Sequence, residues 1–358
     1  MQSGKFTTAS ALFLAGAMFA GAASAQDGIA SGDTSGKKIA FSNSYAGNSF
    51  RQVMIKSFEQ MGAKAKADGK IAGTAVVSAN NSVTEQASQI QNLILQGYDA
   101  IIILAGSDTA LNGAIKDACD AGIVVVAFAS GVTEPCAYVV DYNLDSYAKA
   151  ELDYISGKLG DKPANILEIR GMAGDGFDKR LNEGVKKAFS AHPNYKKVGE
   201  VYGQWTATVA QKEVSGILPS LPQIDGVLTQ GGDGYGAAQA FKAAGRKLPI
   251  IIMGNRQDEL ALWKQEHDAT GYETFSLGAT PSVSQVAFWV AQQILAGKKV
   301  PKFVEVPLLQ IQQPDLEAWL KTVPEGGVVN ADYPQDLVAK IVDANVKKEP
   351  LPMVPAPK

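Results

Sequence analysis

Two histidines and two cysteines among 358 residues leave almost no raw material for a clustered His/Cys metal site. An excess of one charge is missing too. Lys and Arg number 33 against 36 Asp and Glu, a net charge of -3 that offers no footprint for nucleic acid or anionic lipid. No G-x-S-x-G elbow occurs, and His192 and His267 stand in ordinary helix-end contexts, which argues against a secreted hydrolase. Long apolar runs are equally scarce. The one at the N-terminus, "ALFLAGAMFAGA" (11–22), falls short of the roughly 20 residues a membrane span needs.

What surrounds that run gives it a meaning. Lys5 precedes it and the small residues Ala23-Ser24-Ala25 end it, the pattern of a secretory signal cleaved after Ala25. No cysteine follows the cut, which disfavours a lipid-anchored form. The mature chain is expected to be soluble in an oxidising compartment, where Cys119 and Cys136 are candidates for a disulfide. Two buried free thiols are the alternative; either way their role is structural, since no histidine lies nearby in sequence to activate a thiolate.

The hydrophobic content of 46% supplies two packed cores, and the length suits two domains. After a small polar leader (26–36), β-rich runs alternate with helical periodicity. Strands are expected at 38–42, 73–79, 100–104, 123–129 and 136–140, with helices at 48–67, 82–97 and 108–121. A helix at 144–159 follows, and the alternation restarts. Strands read at 164–169, 197–203, 225–229, 249–253 and 271–277, with helices at 175–190, 206–218, 234–244 and 257–267. A last helix (282–296) and strand (302–307) precede an extension (313–358) whose Pro-rich end is expected to be disordered. Continuous apolar strands with helical crossovers imply parallel sheets covered on both faces.

The stretch "LTQGGDGYG" (228–236) invites a nucleotide reading, and an internal repeat argues against it. "YDAIIILAGSDTALNGAIKDACDAG" (98–122) matches "IDGVLTQGGDGYGAAQAFKAAG" (224–245), with Asp108 opposite Asp233. The first copy has no glycine fingerprint, and the second does not open its βαβ series, where a dinucleotide motif belongs. The glycines are expected to allow tight turns and close backbone approach to a compact ligand. "AGNSF" (46–50) likewise matches "AGDGF" (173–177). The chain is therefore two similar doubly wound α/β lobes, each with its ligand loops at the carboxyl ends of its strands.

These landmarks, with "SYAGNSFRQ" (44–52), "EIRGMAGDGFDKRLNEG" (168–184), "YGQWTATVA" (202–210) and "IIMGNRQ" (251–257), resemble the ribose-type periplasmic sugar-binding proteins. These are the substrate-binding components of ABC importers, and the resemblance covers roughly Lys38 to Gln312. It implies the periplasmic binding protein type I fold, with a three-stranded hinge crossing near Asn143, Gly278–Thr280 and Pro307. One lobe would be 37–143 plus 279–306, the other 144–278 plus 307–312. It also implies a monomer that closes on a monosaccharide or sugar alcohol and presents it to a membrane permease, with no cofactor, metal or catalysis.

Carried over by position, the ligand set would be Asn48, Phe50 and Arg51 in the first lobe, with Trp205 and Asn255 in the second. An amide and a guanidinium suit hydroxyls, and aromatic rings suit a sugar face. Phe50 as core, Arg51 as a solvated helix residue and Trp205 as a rim residue packed on its own lobe are the bland readings. Gln230 and Asp233 both fall near the loop polar position, with the choice between them open. The family's Asp-Arg pair after the fourth strand is Ala129-Ser130 here, which leaves Ser130 as a candidate. Arg180 stands four residues before Gly184 instead of three, so it reads equally as a ligand contact or a surface residue. The departures forbid carrying over "ribose". A non-sugar ligand, such as a nucleoside or a furanose-like signalling molecule, is the alternative.

Overall fold

A computed structural model describes residue 1, residues 28–354 and residues 356–357. The signal-peptide assignment therefore lies, but for Met1, outside the described residues. The first half runs β1 (Lys38–Asn43), α1 (Ser49–Ala67), β2 (Gly73–Ser78), α2 (Val83–Leu95), β3 (Ala100–Leu104), α3 (Asn112–Asp120), β4 (Val124–Phe128) and β5 (Tyr138–Tyr142). The second runs α4 (Leu144–Leu159), β6 (Ala164–Arg170), α5 (Gly176–Ser190), β7 (Tyr195–Tyr202), α6 (Ala207–Ile217), β8 (Gly226–Leu228), α7 (Gly234–Ala243), β9 (Ile250–Ile251), α8 (Gln257–Thr270) and β10 (Ser276–Gly278). Then come α9 (Val283–Leu295), β11 (Phe303–Val306), β12 (Leu309–Ile311), α10 (Leu316–Leu320) and α11 (Gln335–Lys347).

The first sheet has the order β11-β5-β4-β3-β1-β2 and is parallel throughout. Its centre, Ala-Ile-Ile-Ile-Leu of β3, is buried at every residue because helices cover both faces. The second sheet orders β7-β6-β8-β9, and the parallel bridge Met253–Ser276 carries it on to β10 and β12. The two sheets thus repeat one strand order, except that β12 pairs antiparallel with β10 where β11 pairs parallel with β5. Although it lies between them in sequence, α9 packs on β3 and β4 of the first sheet.

Cys119 and Cys136 are joined in a disulfide, tying the end of α3 to the start of β5. Several expected elements are shorter than the pattern suggests, strand 249–253 reducing to Ile250–Ile251 and strand 225–229 to Gly226–Leu228, and two others have visible causes. Residues 108–111 form a turn, with Asn112 N donating to Thr109 O and Thr133 N to Asp108 O, so α3 begins only at Asn112. Strand 271–277 shrinks to Ser276–Gly278. Gly271 ends α8 in the left-handed region at φ 73°, and Tyr272 and Thr274 give their hydroxyls to Pro249 O and Ile251 O.

The described part of the polar leader, residues 28–36, is tied to the fold: Gly28 N donates to Asp343, Ala30 N to Gln293 and Thr34 Oγ1 to Lys70 O. The extension is also built in. Its α10 packs on α8 of the second lobe, and its α11 packs on α9 and β11 of the first. The described residues of the Pro-rich tail contain no helix or strand.

Candidate ligand-binding cleft

The loops at the carboxyl ends of the two sheets face one another. In the first lobe, the turn after β1 ends at Asn48, whose Oδ1 caps α1 by accepting from Arg51 N at 2.9 Å. That bond is an N-cap, satisfying a donor that a helix start leaves orphaned. Phe50 is half-buried against the core. The Arg51 guanidinium is enclosed, with Nη1 lacking any protein partner, and burial pulls its pKa down to about 10 against the opposing pull of Asp175 and Tyr45. It remains a cation at neutral pH. Ser130 spends its hydroxyl locally, accepting from Ala105 N and donating to Phe128 O.

In the second lobe the start of α5 is the organising element. Asp175 caps it, accepting from Phe177 N at 2.7 Å and Asp178 N at 3.2 Å. Asp178, fully buried, accepts from Arg170 Nη2 at 2.6 Å and Nε at 3.1 Å, from Gly171 N at 3.1 Å and from Gln230 Nε2 at 2.9 Å. Gln230 is thereby held by its amide nitrogen while its Oε1 is enclosed without a partner.

Trp205 follows Gln204, and both take left-handed backbone (φ 53° and 56°), an uncommon pair for non-glycine residues. Its ring meets Phe177 edge-on at 6.5 Å. It also lies so close to Gly171 that a Cβ there would fall 2.4 Å from ring atoms, so that position requires glycine.

Two second-lobe candidates lie deeper. Asp233 is fully buried and accepts from Thr206 N at 3.1 Å; burial and then Glu259 push its carboxyl well above the usual range. Asn255 is buried beside the crossing, with Nδ2 donating to Ala279 O at 2.8 Å.

The lobes are apposed. Arg180 Nη1 donates to Asp141 Oδ2 at 2.7 Å, and Arg256 Nη1 to Ser49 Oγ at 3.2 Å. Gly176, at the start of α5, comes so near Asp108 that a Cβ would lie 3.0 Å from its carboxylate. Burial raises the Asp108 carboxyl although Arg180 opposes the shift. Arg180 also has Nε and Nη2 buried without a partner. The structure thus brings Arg51, Arg180, Gln230 and Trp205 to one seam between lobes, with Asn48 and Phe50 at its edge. It leaves Ser130 engaged with Ala105 N and Phe128 O, while buried Asp233 accepts from Thr206 N with one oxygen and keeps the other without a partner.

Four residues of this seam escaped the sequence reading: Asp141, Asp175, Asp178 and Arg256. Asp175 alone had a local signal, an acidic residue just ahead of a helical run. Among the described residues no group of His, Cys, Asp or Glu is placed to hold a metal ion. No helix among them is long and apolar enough to cross a membrane.

Two doubly wound lobes with polar groups converging from both across a cleft define a two-lobed solute-binding protein. The chain belongs to the periplasmic binding protein domain family, whose model matches residues 39–299. This family consists of substrate-binding proteins, not enzymes. A xylitol-binding protein of Mycolicibacterium smegmatis is 32% identical over 187 residues, 51% of this chain and 53% of that protein. This chain therefore matches about half the length of that relative. The ribose import binding protein of Haemophilus influenzae is 24% identical over 86% of this chain and 99% of its own length. Among solved structures, an ABC transporter solute-binding protein from Thermobispora bispora superposes with a TM-score of 0.79 at 34% identity, covering 90% of this chain and 99% of that one. A Mycobacterium smegmatis solute-binding protein with bound glycerol shares the fold, with a TM-score of 0.68 at 21% identity over 82% and 100% of the two chains.

Proposed function

We propose that this protein is the periplasmic binding component of an ABC importer, taking a monosaccharide or sugar alcohol between its lobes and delivering it to a membrane permease as a monomer. One observation carries the reading. Arg51 Nη1, Arg180 Nε and Nη2, and Gln230 Oε1 are buried, lack protein partners and come from both sides of the cleft. Each such group costs about 1–3 kcal/mol if left unpaired. A polyhydroxylated ligand answers both kinds of need at once, because a hydroxyl accepts from guanidinium and donates to an amide oxygen. Trp205, with Phe177 behind it, supplies an aromatic plane for the C–H face of such a molecule. The relatives named for xylitol and ribose support the same ligand class.

Closure follows from the division of groups. A ligand that touches both lobes favours the closed form through contacts the open form lacks. The test is a thermal-shift panel of pentoses, hexoses, polyols and nucleosides on the mature chain. A ligand at 100 times its Kd stabilises by about 2.7 kcal/mol, so the true class stands out. Stabilisation by a sugar or polyol is the expected result. A response confined to nucleosides, or to none of the panel, overturns the reading.

A further inference from the structure

Arg256 stands in the second lobe between β9 and α8 and makes contacts unlike those of its neighbours. Its Nη1 donates to Ser49 Oγ at 3.2 Å, in the first turn of α1 on the opposite lobe. Its Nη2 donates to the backbone oxygen of Trp205 at 3.3 Å. The guanidinium crosses Gly232, where a Cβ would lie 2.5 Å from Nε, so a side chain at 232 would displace it. The carboxylates of Asp233 and Glu259, both buried, are near enough to attract it.

Its backbone is fixed as well. Arg256 bridges Val328 of the extension in antiparallel fashion, flanked by Gln257 N donating to Gly327 O at 3.1 Å and Val329 N to Asn255 O at 2.9 Å. Two residues on, Asn330 Nδ2 donates to Ser57 Oγ of α1 at 2.8 Å, and its Oδ1 accepts from Ser282 N at 2.9 Å. The loop carrying Arg256 is thus clasped by a segment that is itself tied to the first lobe.

We propose that Arg256 is a positioning residue for ligand retention. It holds the Trp205 loop in its ligand-facing place and latches that loop across the cleft to α1. This inference rests on the ligand-binding reading above. The latch joins the turn presenting Asn48 and Arg51 to the loop presenting Trp205, so it forms only when both walls of the site are in register. Its loss therefore speeds escape of the ligand more than it slows entry, since entry occurs before the latch forms.

The experiment is stopped-flow binding of the strongest sugar or polyol from the thermal-shift panel to wild type, Ser49→Ala, Arg256→Lys, Arg256→Ala and the Ser49→Ala/Arg256→Ala pair. Ser49→Ala is the safeguard against misfolding, because it removes one partly exposed hydroxyl. Expected are a dissociation rate raised roughly threefold by Ser49→Ala and roughly tenfold by Arg256→Ala, partial recovery in Arg256→Lys, and little change in association. The pair should match Arg256→Ala alone, since both changes remove one contact. Additive effects, or unchanged dissociation in folded variants, overturn the latch. If wild type binds no sugar or polyol, the ligand reading has failed, and the latch is read from spin-label distances across the cleft in the unliganded protein. Longer distances in Arg256→Ala than in wild type support it, and identical distributions overturn it.

Discussion

Arg180 and Asp141 form an ion pair whose members belong to different lobes. Arg180 Nη1 lies 2.7 Å from Asp141 Oδ2, with the arginine side chain 38% exposed and the aspartate completely buried. Asp141 is the next-to-last residue of β5 in the first sheet, and its other oxygen accepts from Tyr142 N at 2.8 Å. A buried carboxylate stripped of its cation is costly, and the partial exposure of Arg180 reduces that cost to about 1–3 kcal/mol.

That cost falls on the arrangement in which the lobes meet. Arg180→Ala is therefore expected to weaken ligand binding by roughly tenfold or more while each lobe keeps its own fold. Arg180→Lys should lie between, keeping the charge but losing the forked donors that reach past Asp141. Isothermal titration with the panel's best ligand checks this, and equal affinities for all three proteins would return Arg180 to a structural role.

Trp205 is the one tryptophan placed to report on ligand, because Trp263, Trp289 and Trp319 are all buried in the core. Ligand should change the intrinsic fluorescence of wild type and leave that of Trp205→Phe nearly unchanged. Trp205→Ala is expected to weaken binding more than tenfold, since burying such a ring is worth a few kcal/mol. The left-handed backbone adds a control. Trp205→Gly relieves the strain at φ 53° yet removes the same ring, so it should bind as poorly as Trp205→Ala and unfold no earlier. A glycine variant that binds like wild type would show that the ring does not contact ligand.

The parallel sheets were legible because strands such as Ala100–Leu104 are apolar at every residue, a pattern that only two-sided cover explains. Trp205 could be placed at the cleft from its polar neighbours, but nothing in "GQWTAT" announces two successive left-handed residues. Asp178 was missed because its partners come from β6, the turn after it and the loop after β8, and no local periodicity relates those positions. Ser130 matched by position, yet its hydroxyl closes its own turn instead of facing the cleft. Gln230 and Asp233 could not be separated in one dimension. In three, Gln230 is tied to Asp178 with its oxygen enclosed at the seam, while Asp233 is fully buried, one oxygen accepting from Thr206 N and the other unpartnered. Residues 313–347 carried no motif, since their role is backbone pairing with Asn255–Gln257 and packing on both lobes.

The Cys119–Cys136 bond closes a loop 17 residues long in separation, between α3 and β5 of the first lobe. Constraining a loop of that size stabilises by about 3 kcal/mol on the chain-entropy account. Free-thiol titration of the denatured, unreduced protein should find none. Reduction, or the Cys119→Ala/Cys136→Ala pair, should lower the midpoint of unfolding by several degrees while leaving the ligand set intact. A midpoint unmoved by reduction would mean that the bond does not stabilise the lobe.

Asp233 and Glu259 are two buried carboxyls set against each other beneath the cleft. Burial raises both from their ordinary values of 3.8 and 4.5, and for Asp233 the neighbouring Glu259 adds to the shift. The two are not equivalent. Glu259 is spent on backbone amides, accepting from Gly234 N and Gly254 N at 2.9 Å and from Gly232 N at 3.2 Å, whereas Asp233 Oδ2 is enclosed without a partner. A carboxyl whose folded value lies above its unfolded one binds its proton more tightly when folded. Its contribution to stability is complete below the unfolded value and fades as pH rises through the folded value. Stability should therefore fall as pH rises above the ordinary carboxylate range, by an amount traceable to Asp233. Asp233→Asn cannot ionise but keeps an acceptor for Thr206 N, so it should flatten that fall. Unfolding midpoints of both proteins over that rise in pH provide the measurement. Parallel curves would show that Asp233 keeps one protonation state throughout, and that the strain of its burial is relieved in some other way.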